Sequence, residues 1–360
     1  MDKNRVSNKI EQAISEGVFP GAVLLCAINQ DIIFHESFGM ADIFEKRKIG
    51  KDSIFDLASL TKPLATTLSI SKLIENGLIS LDQKAGSIIE EFNTDDKADI
   101  TIDMLLRHTS GFPAYREYYK QVIKSNKAPR QFLRHLLVNE PLETNPGDIQ
   151  VYSDLGFMVL SWIIEKISCQ RLDYFVSQQI YSPLKISDLF FVDLNLKESI
   201  LKQYHRKIVA TQQCPWRKKI LMGEVDDDNT WAVGGIEGHA GLFGNAASIH
   251  NLCCEILNAL QNKPTKILSH DIMHAFVQKK NSNDMVAGFD TPSKKNSSSG
   301  RYFSIASIGH LGFTGTSFWV DPETSLIAVL LTNRVHPLRF NNGIKKFRRE
   351  IHNLIYTQIL

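Results

Sequence analysis

What is missing narrows this 360-residue chain first. Its five cysteines (Cys26, Cys169, Cys214, Cys253 and Cys254) are odd in number and scattered, with no C-x-x-C pair. Such a set argues against a disulfide framework and for reduced, mostly buried thiols. An excess of charge of one sign is missing too: 41 Lys and Arg against 39 Asp and Glu leave a formal net charge of +2. That balance gives no footprint for nucleic acid or an anionic membrane. The longest apolar runs, "GFMVLSWII" and "LIAVLL", are too short to span a bilayer. The opening "MDKNRVSNKIEQAISEG" lacks the apolar core of a secretory leader. The expectation is a cytoplasmic protein, or a periplasmic or extracellular one if a leader was removed. H-E-x-x-H, G-x-x-x-x-G-K-[ST], G-x-S-x-G and G-x-G-x-x-G are all absent. Metalloprotease, nucleotide-binding and α/β-hydrolase readings therefore lack support, and no metal or cofactor is expected.

What is present reads as a large globular domain, 43% hydrophobic and able to bury a sizeable core. Val6, Ile10, Ile14 and Val18 recur at helical spacing, and glycines from Gly17 to Gly21 end that helix. "GAVLLCAINQDIIFHESFGMAD" reads as two strands around Asn29-Gln30-Asp31. Helical patterns dominate from about Ile100 to Ile180. Near the end, "SIASIGHLGFTGTSFWV" and "SLIAVLLTNR" flank Asp321-Pro322-Glu323-Thr324 as a hairpin. A C-terminal helix follows, with Ile344, Phe347, Ile351 and Ile355 on one face and Lys345, Lys346, Arg348 and Arg349 expected on its solvated side. Asn281 to Gly300, rich in Asn, Ser and Lys, reads as a mobile surface loop.

Strands at both ends and helices between them predict an α/β (α+β) fold. Its antiparallel sheet would be formed from both termini, flanked by helices, with a mainly helical insertion. The expected division of the single domain 1–360 is a sheet-containing part, 1–60 plus 230–360, and a helical part, 61–229.

"FDLASLTKPLATTLSISKLIENG" places Ser59 and Lys62 three residues apart where an extended segment turns into a helix. Pro63 suits a first helical turn, and Asn76-Gly77 supplies the stop. Ser59 then lies near free backbone N–H groups and the positive dipole end, with Lys62 in reach of its hydroxyl. The spacing recurs at Ser69/Lys72, Ser182/Lys185 and Ser199/Lys202, so by itself it also fits a capping serine beside a solvated lysine.

Three more stretches settle the reading. "VYSDLGF" puts Tyr152, Ser153 and Asp154 ahead of a strong helix. "GHLGFTG" puts His310 and Gly312 on or near a strand. "GGIEGHAGLFG" packs five glycines around His239. With these residues the chain resembles the serine β-lactamase and penicillin-binding-protein superfamily, in the branch of class C β-lactamases, DD-peptidases and their esterase relatives. Ser59-Leu60-Thr61-Lys62 matches the S-x-x-K motif. Tyr152-Ser153-Asp154 matches the Tyr-x-Asn of class C in position and in its tyrosine. His310-Leu311-Gly312 stands where K-T-G would be. The resemblance runs from about Gly21 to Pro337.

The resemblance implies a β-lactamase/transpeptidase-like catalytic domain in which Ser59 attacks a carbonyl and forms an acyl-enzyme. Lys62 and Tyr152 would share the proton work, with the base left open between them. The oxyanion would sit between the N–H groups of Ser59 and Phe313, and Gly312, without a side chain, would let a substrate backbone approach. His310, partly charged at neutral pH with an ordinary pKa of about 6.5, would donate a hydrogen bond or shuttle a proton, but is a weaker anion anchor than lysine. Asp154 cannot donate to a substrate amide carbonyl as asparagine would; it is left to pair with Lys62 or to cap the following helix. Both departures argue against an efficient β-lactamase. His239 reads as structural, His108 as a turn and helix-end residue, and "GEVDDDN" with Asp226 as a solvated loop rather than a cation site.

The expectation is a metal-free serine hydrolase of an ester or a small amide such as a D-amino-acid peptide. A D-alanyl-D-alanine carboxypeptidase or weak β-lactamase is the alternative within the family. A non-catalytic penicillin-binding-like receptor or scaffold is the alternative outside it. The partner expected is a small-molecule or peptide substrate, with no nucleic acid and no membrane span; the sequence leaves the oligomeric state open.

Overall fold

A computed structural model describes residues 2–280 and 285–359. Its backbone is an eight-stranded antiparallel sheet drawn from the two ends of the chain. The first end contributes β1 (Gly21–Ile28), β2 (Asp31–Asp42) and β3 (Arg47–Lys48). The second contributes β4 (Met285–Val286), β5 (Phe289–Asp290), β6 (Ile308–Leu311), β7 (Ser317–Asp321) and β8 (Leu326–Thr332). The strands lie in the order β3-β2-β1-β8-β7-β6-β5-β4, so first and last segments meet at the β1–β8 pair, with Ala22 opposite Thr332 and Ile28 opposite Leu326.

β1 and β8 are apolar at nearly every position because both faces of the sheet are covered. Val23, Leu25 and Ala27 of β1, with Ile327, Val329 and Leu331 of β8, face the large core shared with the central helices. Their alternates, Ala22, Leu24 and Cys26 with Leu326, Ala328 and Leu330, face a second cluster. That cluster is closed by α1 (Lys3–Ser15) through Val6 and Ile10, and by the C-terminal helix α5 (Ile344–Ile359) through Ile344, Phe347, Ile351 and Ile355. Period-2 side-chain alternation thus sorts one hydrophobic run into two cores. Each buried Leu or Ile contributes about 1.5–3 kcal/mol of transfer free energy.

On the other face lie α2 (Leu68–Glu75), α3 (Asp154–Ser168) and α4 (Ala246–Leu260). A short three-stranded sheet, Phe55–Asp56, Leu242–Gly244 and Leu189–Phe191, joins the segment before Ser59 to the glycine-rich stretch.

Two sequence expectations change. The mobile loop foreseen over Asn281–Gly300 falls in part outside the described residues (281–284). Of the remainder, Met285–Val286 and Phe289–Asp290 pair with each other and with the sheet. Strands of two residues carry no legible periodicity, and the polar Ser297 and Ser299 that follow are buried because they bond one another at 2.7 Å. Arg348, assigned to the solvated side of the last helix, is instead buried at 6% exposure; Lys345 and Lys346 do face solvent. All five cysteines are free thiols. No helix among the described residues is long and apolar enough to cross a membrane.

Candidate active site

Ser59 sits in a tight 3-10 turn, Ala58–Leu60, followed by a wider turn, Lys62–Thr67, that carries Pro63 and runs into α2. Ala58 adopts a left-handed φ of 49°, a conformation that costs an ordinary residue about 1–2 kcal/mol. Bonds on both sides hold it there. Its N–H donates to Asp56 Oδ1 at 2.9 Å, and its carbonyl accepts from Thr61 Oγ1 at 2.6 Å. The strained turn lifts Ser59, half-buried, away from the packed residues on either side.

Lys62 is completely buried beneath it, with Nζ donating to Ser59 Oγ at 3.0 Å, Asp154 Oδ1 at 2.7 Å and the His239 carbonyl at 3.2 Å. Asp154 therefore pairs with Lys62, and the capping alternative falls away. Ser153 caps α3 instead, its Oγ accepting the Gly156 N–H. Tyr152 interacts through its phenol with both Lys62 and Ser59, and the Lys62 ammonium lies 4.8 Å from its ring centroid. Desolvation pushes the phenol up and outweighs the pull of Lys62, although with Tyr152 38% exposed solvent tempers that rise. For Lys62 burial pulls down, but Asp154 and then Tyr152 more than offset it and leave the amine above its ordinary value.

His108, read as a turn residue, has a left-handed φ of 59° and does more than turn the chain. Its ring stacks between Tyr152 and Phe157 at 4.7 and 5.1 Å, and its Nδ1 accepts the Ser153 N–H at 3.0 Å. That acceptor role puts the proton on Nε2, and burial keeps the ring neutral. His108 thus sets the angle of Tyr152. No local pattern in the sequence signals this.

On the far side, β6 delivers His310. Burial, then Lys62, pushes its pKa down to about 3, so the partial charge expected from the sequence is absent. Nδ1 lies 2.9 Å from the Leu311 carbonyl and must donate to it, which leaves the buried Nε2 as an acceptor with no partner among the described residues. His310 presents a lone pair, not a donor and not a cation.

Gly312 and Phe313 form the turn after β6. The Gly312 N–H is committed to the Thr316 carbonyl at 2.7 Å, whereas the Phe313 N–H donates to no backbone carbonyl among the described residues. Packing by itself requires glycine at 312. A Cβ there would lie 2.0 Å from Thr316 Oγ1 and 2.6 Å from the Leu57 carbonyl. The turn is pressed against the Ser59 segment: Thr314 Oγ1 donates to the Asp56 carbonyl at 2.8 Å and Thr316 Oγ1 to the Leu57 carbonyl at 3.0 Å. Arg348 reaches from α5 to donate to the carbonyls of Gly312 and Thr316 at 3.0 and 2.6 Å.

The glycine-rich stretch packs as expected: a Cβ on Gly238 would stand 2.1 Å from the Phe157 carbonyl of α3. His239 takes a place beside the site, its carbonyl on Lys62 and its Nε2 on Asp227 Oδ1 at 2.9 Å. Burial lowers its pKa, but Asp227 raises it by more, so the ring stands above its ordinary value. The solvated loop foreseen for "GEVDDDN" is wrong. Asp226 and Asp228 are buried, held by Arg339 from more than a hundred residues away and, for Asp228, by Arg217 eleven residues before it. No cluster of three or more His, Cys, Asp or Glu with metal-holding geometry occurs among the described residues.

Comparison with known proteins gives the chain's family and fold. The Beta-lactamase family profile matches residues 6–353. A protein named putative D-alanyl-D-alanine carboxypeptidase from Escherichia coli K12 is 26% identical, covering 92% of this chain and 82% of the relative. One named N-acetylmuramyl-L-alanine amidase from Bacillus subtilis is 28% identical, over 92% and 81%. Among solved structures, EstCE1, described as a hydrolase with promiscuous acyltransferase activity, superposes with a TM-score of 0.78 at 19% identity, covering 98% of both chains. An octameric penicillin-binding protein homologue from Pyrococcus abyssi gives 0.74 at 18%, covering 99% of this chain and 77% of the other. These structures share the β-lactamase/transpeptidase fold. The chain belongs to the β-lactamase family and is a serine hydrolase of that family.

Proposed function

We propose that Ser59 is the nucleophile and that it forms an acyl-enzyme on an ester or a small amide such as a D-amino-acid peptide, with ester the preferred class. The observation that carries this is the convergence of Lys62 Nζ, 3.0 Å from Ser59 Oγ, and the Tyr152 phenol on one hydroxyl, from positions far apart in sequence. Lys62 and Tyr152 manage the proton. The N–H groups of Ser59 and Phe313 receive the oxyanion; one such donor is worth about 2.7–4 kcal/mol in enzymes where it has been removed.

The ester preference follows from charge and donors. His310 is neutral and presents a lone pair, so it offers no charge to a substrate carboxylate. Asp154 is spent on Lys62 and has no hydrogen to give an amide carbonyl. A second reading, D-alanyl-D-alanine carboxypeptidase, is favoured by the names of the curated relatives.

Intact mass after exposure to a fluorophosphonate and, separately, to penicillin tests both. The expected result is one phosphonyl adduct on Ser59, absent in Ser59→Ala, with slow or no penicilloyl labelling. Rapid and stable penicillin acylation overturns the ester preference. Labelling without turnover of any activated ester, after a single burst of product, would favour a receptor over an enzyme.

A further inference from the structure

The Phe313 N–H belongs to the same peptide unit as the Gly312 carbonyl, and a buried cation holds that carbonyl. Arg348 Nη2, reaching from α5, donates to the Gly312 carbonyl at 3.0 Å and to the Thr316 carbonyl at 2.6 Å. Both carbonyls already accept a backbone N–H. Gly315 donates to Gly312 at 3.1 Å, and Gly312 donates to Thr316 at 2.7 Å. Arg348 therefore adds a second, charge-assisted bond to acceptors that have their first.

A charged side chain is an expensive way to fill a second lone pair. Arg348 is 6% exposed, and its Nε has no partner among the described residues. Burial, then Arg334, works against its charge, while Asp290 of β5 acts the other way. A neutral donor in its place would avoid most of that desolvation. What the cation adds is a strong pull on the Gly312 oxygen. Electron density drawn to an amide oxygen is taken from the amide nitrogen, whose N–H becomes a stronger donor, so bonds in such a chain reinforce one another. We propose that Arg348 is a positioning residue for the oxyanion: through the Gly312 carbonyl it holds and polarises the Gly312–Phe313 peptide and strengthens the Phe313 N–H as an oxyanion donor. This rests on the acyl-enzyme and oxyanion readings above.

A second buried arginine supplies the contrast. Arg334, 8% exposed, grips the same turn, but its Nε donates at 2.8 Å to the Phe313 carbonyl, which belongs to the next peptide. Its guanidinium lies 4.6 Å from the Phe313 ring centroid. Both arginines brace the turn; of the two, Arg348 alone bonds the peptide that carries the Phe313 N–H. Removing an oxyanion donor outright lowers kcat about 10²–10³-fold in enzymes where it has been done. Cooperative strengthening of about 10–30% per bond, taken as that share of the logarithm, assigns Arg348 about 2- to 8-fold.

The test is hydrolysis of p-nitrophenyl acetate by the full chain, with the acyl-enzyme of the 13C=O-labelled ester followed by rapid-mix infrared spectroscopy. Arg348→citrulline keeps the shape and the NH2 donor without the charge. Arg348→Lys keeps the charge, and Arg334→Gln loosens the turn at its other peptide. In Arg348→citrulline kcat should fall about 2- to 8-fold with KM within about twofold, the mark of an interaction made in the transition state. Its acyl carbonyl stretch should rise, while Arg348→Lys loses less activity and Arg334→Gln keeps the parent frequency. An unchanged kcat in Arg348→citrulline, a loss carried by KM, or an equal rise of the stretch in Arg334→Gln overturns the proposal. Should Arg348→citrulline fail to fold by circular dichroism, Arg348→Lys decides: a stretch that rises there, with the cation retained, overturns it. A parent acyl carbonyl at the frequency of the free ester would instead defeat the Phe313 oxyanion assignment. Turnover that persists in Ser59→Ala would defeat the acyl-enzyme reading itself.

Discussion

Asp56 offers a stability test whose sign depends on pH. Its carboxylate is 2% exposed, and it accepts the Ala58 N–H at 2.9 Å and the Asp226 N–H at 2.6 Å. Burial, then the neighbouring Asp226 charge, pushes its pKa up to about 7, against about 3.9 for an unfolded aspartate. The folded chain holds this proton more tightly than the unfolded one. Across about pH 4 to 7 the folded state binds more protons, and its stability falls as pH rises through that window. At about 1.36 kcal/mol per unit, a span of about 3 units costs the charged form about 4 kcal/mol by pH 8. Asp56→Asn removes that cost but has one oxygen for two N–H donors, and an orphaned buried donor costs about 1–3 kcal/mol. The variant should be near break-even or slightly destabilised at pH 5 and more stable than the parent by about 1–3 kcal/mol at pH 8. Urea unfolding of both chains at pH 5, 6, 7 and 8 reads the difference directly. A difference that does not change with pH would refute the assignment of a raised Asp56 pKa.

Two further perturbations probe the surrounding frame. Gly312→Ala places a methyl 2.6 Å from the Leu57 carbonyl, which cannot swing aside, so a loss of about 1–3 kcal/mol by urea unfolding and a fall in fluorophosphonate labelling are expected. Asp227→Asn keeps the cap on the Thr230 N–H but removes the anion that raises His239. The cost should be about 1–3 kcal/mol, below the ~3–5 of a wholly buried pair because Asp227 is 21% exposed. Because Asp227 is held below its usual range and His239 above its own, that cost is largest between the two pKa values and fades as pH rises past the raised His239 value. A loss that grows with alkalinity would contradict it.

How much the sequence revealed depended on how local the physics was. The hairpin of β7 and β8 was legible because Asp321-Pro322-Glu323-Thr324 is turn chemistry between two apolar runs, and Asp321 indeed faces Leu326. The first helix was legible from Val6 and Ile10, though it stops at Ser15 and leaves Val18 outside. Ser59, Lys62, Tyr152 and Asp154 were found as motifs, yet the sequence left Asp154 open between two partners because either satisfies a carboxylate. Only the 92-residue closure onto Lys62 decides it. His108, Asp56 and Arg348 carried no signal. Each acts through backbone groups of distant segments, and a backbone carbonyl looks the same beside every residue type. His310 was legible in place but not in charge, since its neutrality comes from burial that composition does not report.

The same reasoning explains why the frame around Ser59 is assembled from three remote parts of the chain. The strained Ala58 turn cannot hold itself, because a left-handed alanine relaxes unless its neighbours are fixed. Asp56 fixes its N–H, and the carbonyls of Asp56 and Leu57 are in turn fixed by Thr314 and Thr316. Those threonines belong to the turn that bears the Phe313 N–H, and that turn is anchored by Arg348 from the last helix. Arg348 is itself desolvated, its pKa pushed down to about 9 by burial and then by Arg334, so it sits there at a cost that its bonds to two carbonyls must offset. Each brace satisfies a polar group that burial would otherwise leave unpaired. The hydroxyl of Ser59 and the N–H of Phe313 therefore move together or not at all, and their spacing is a property of the closed sheet rather than of either motif.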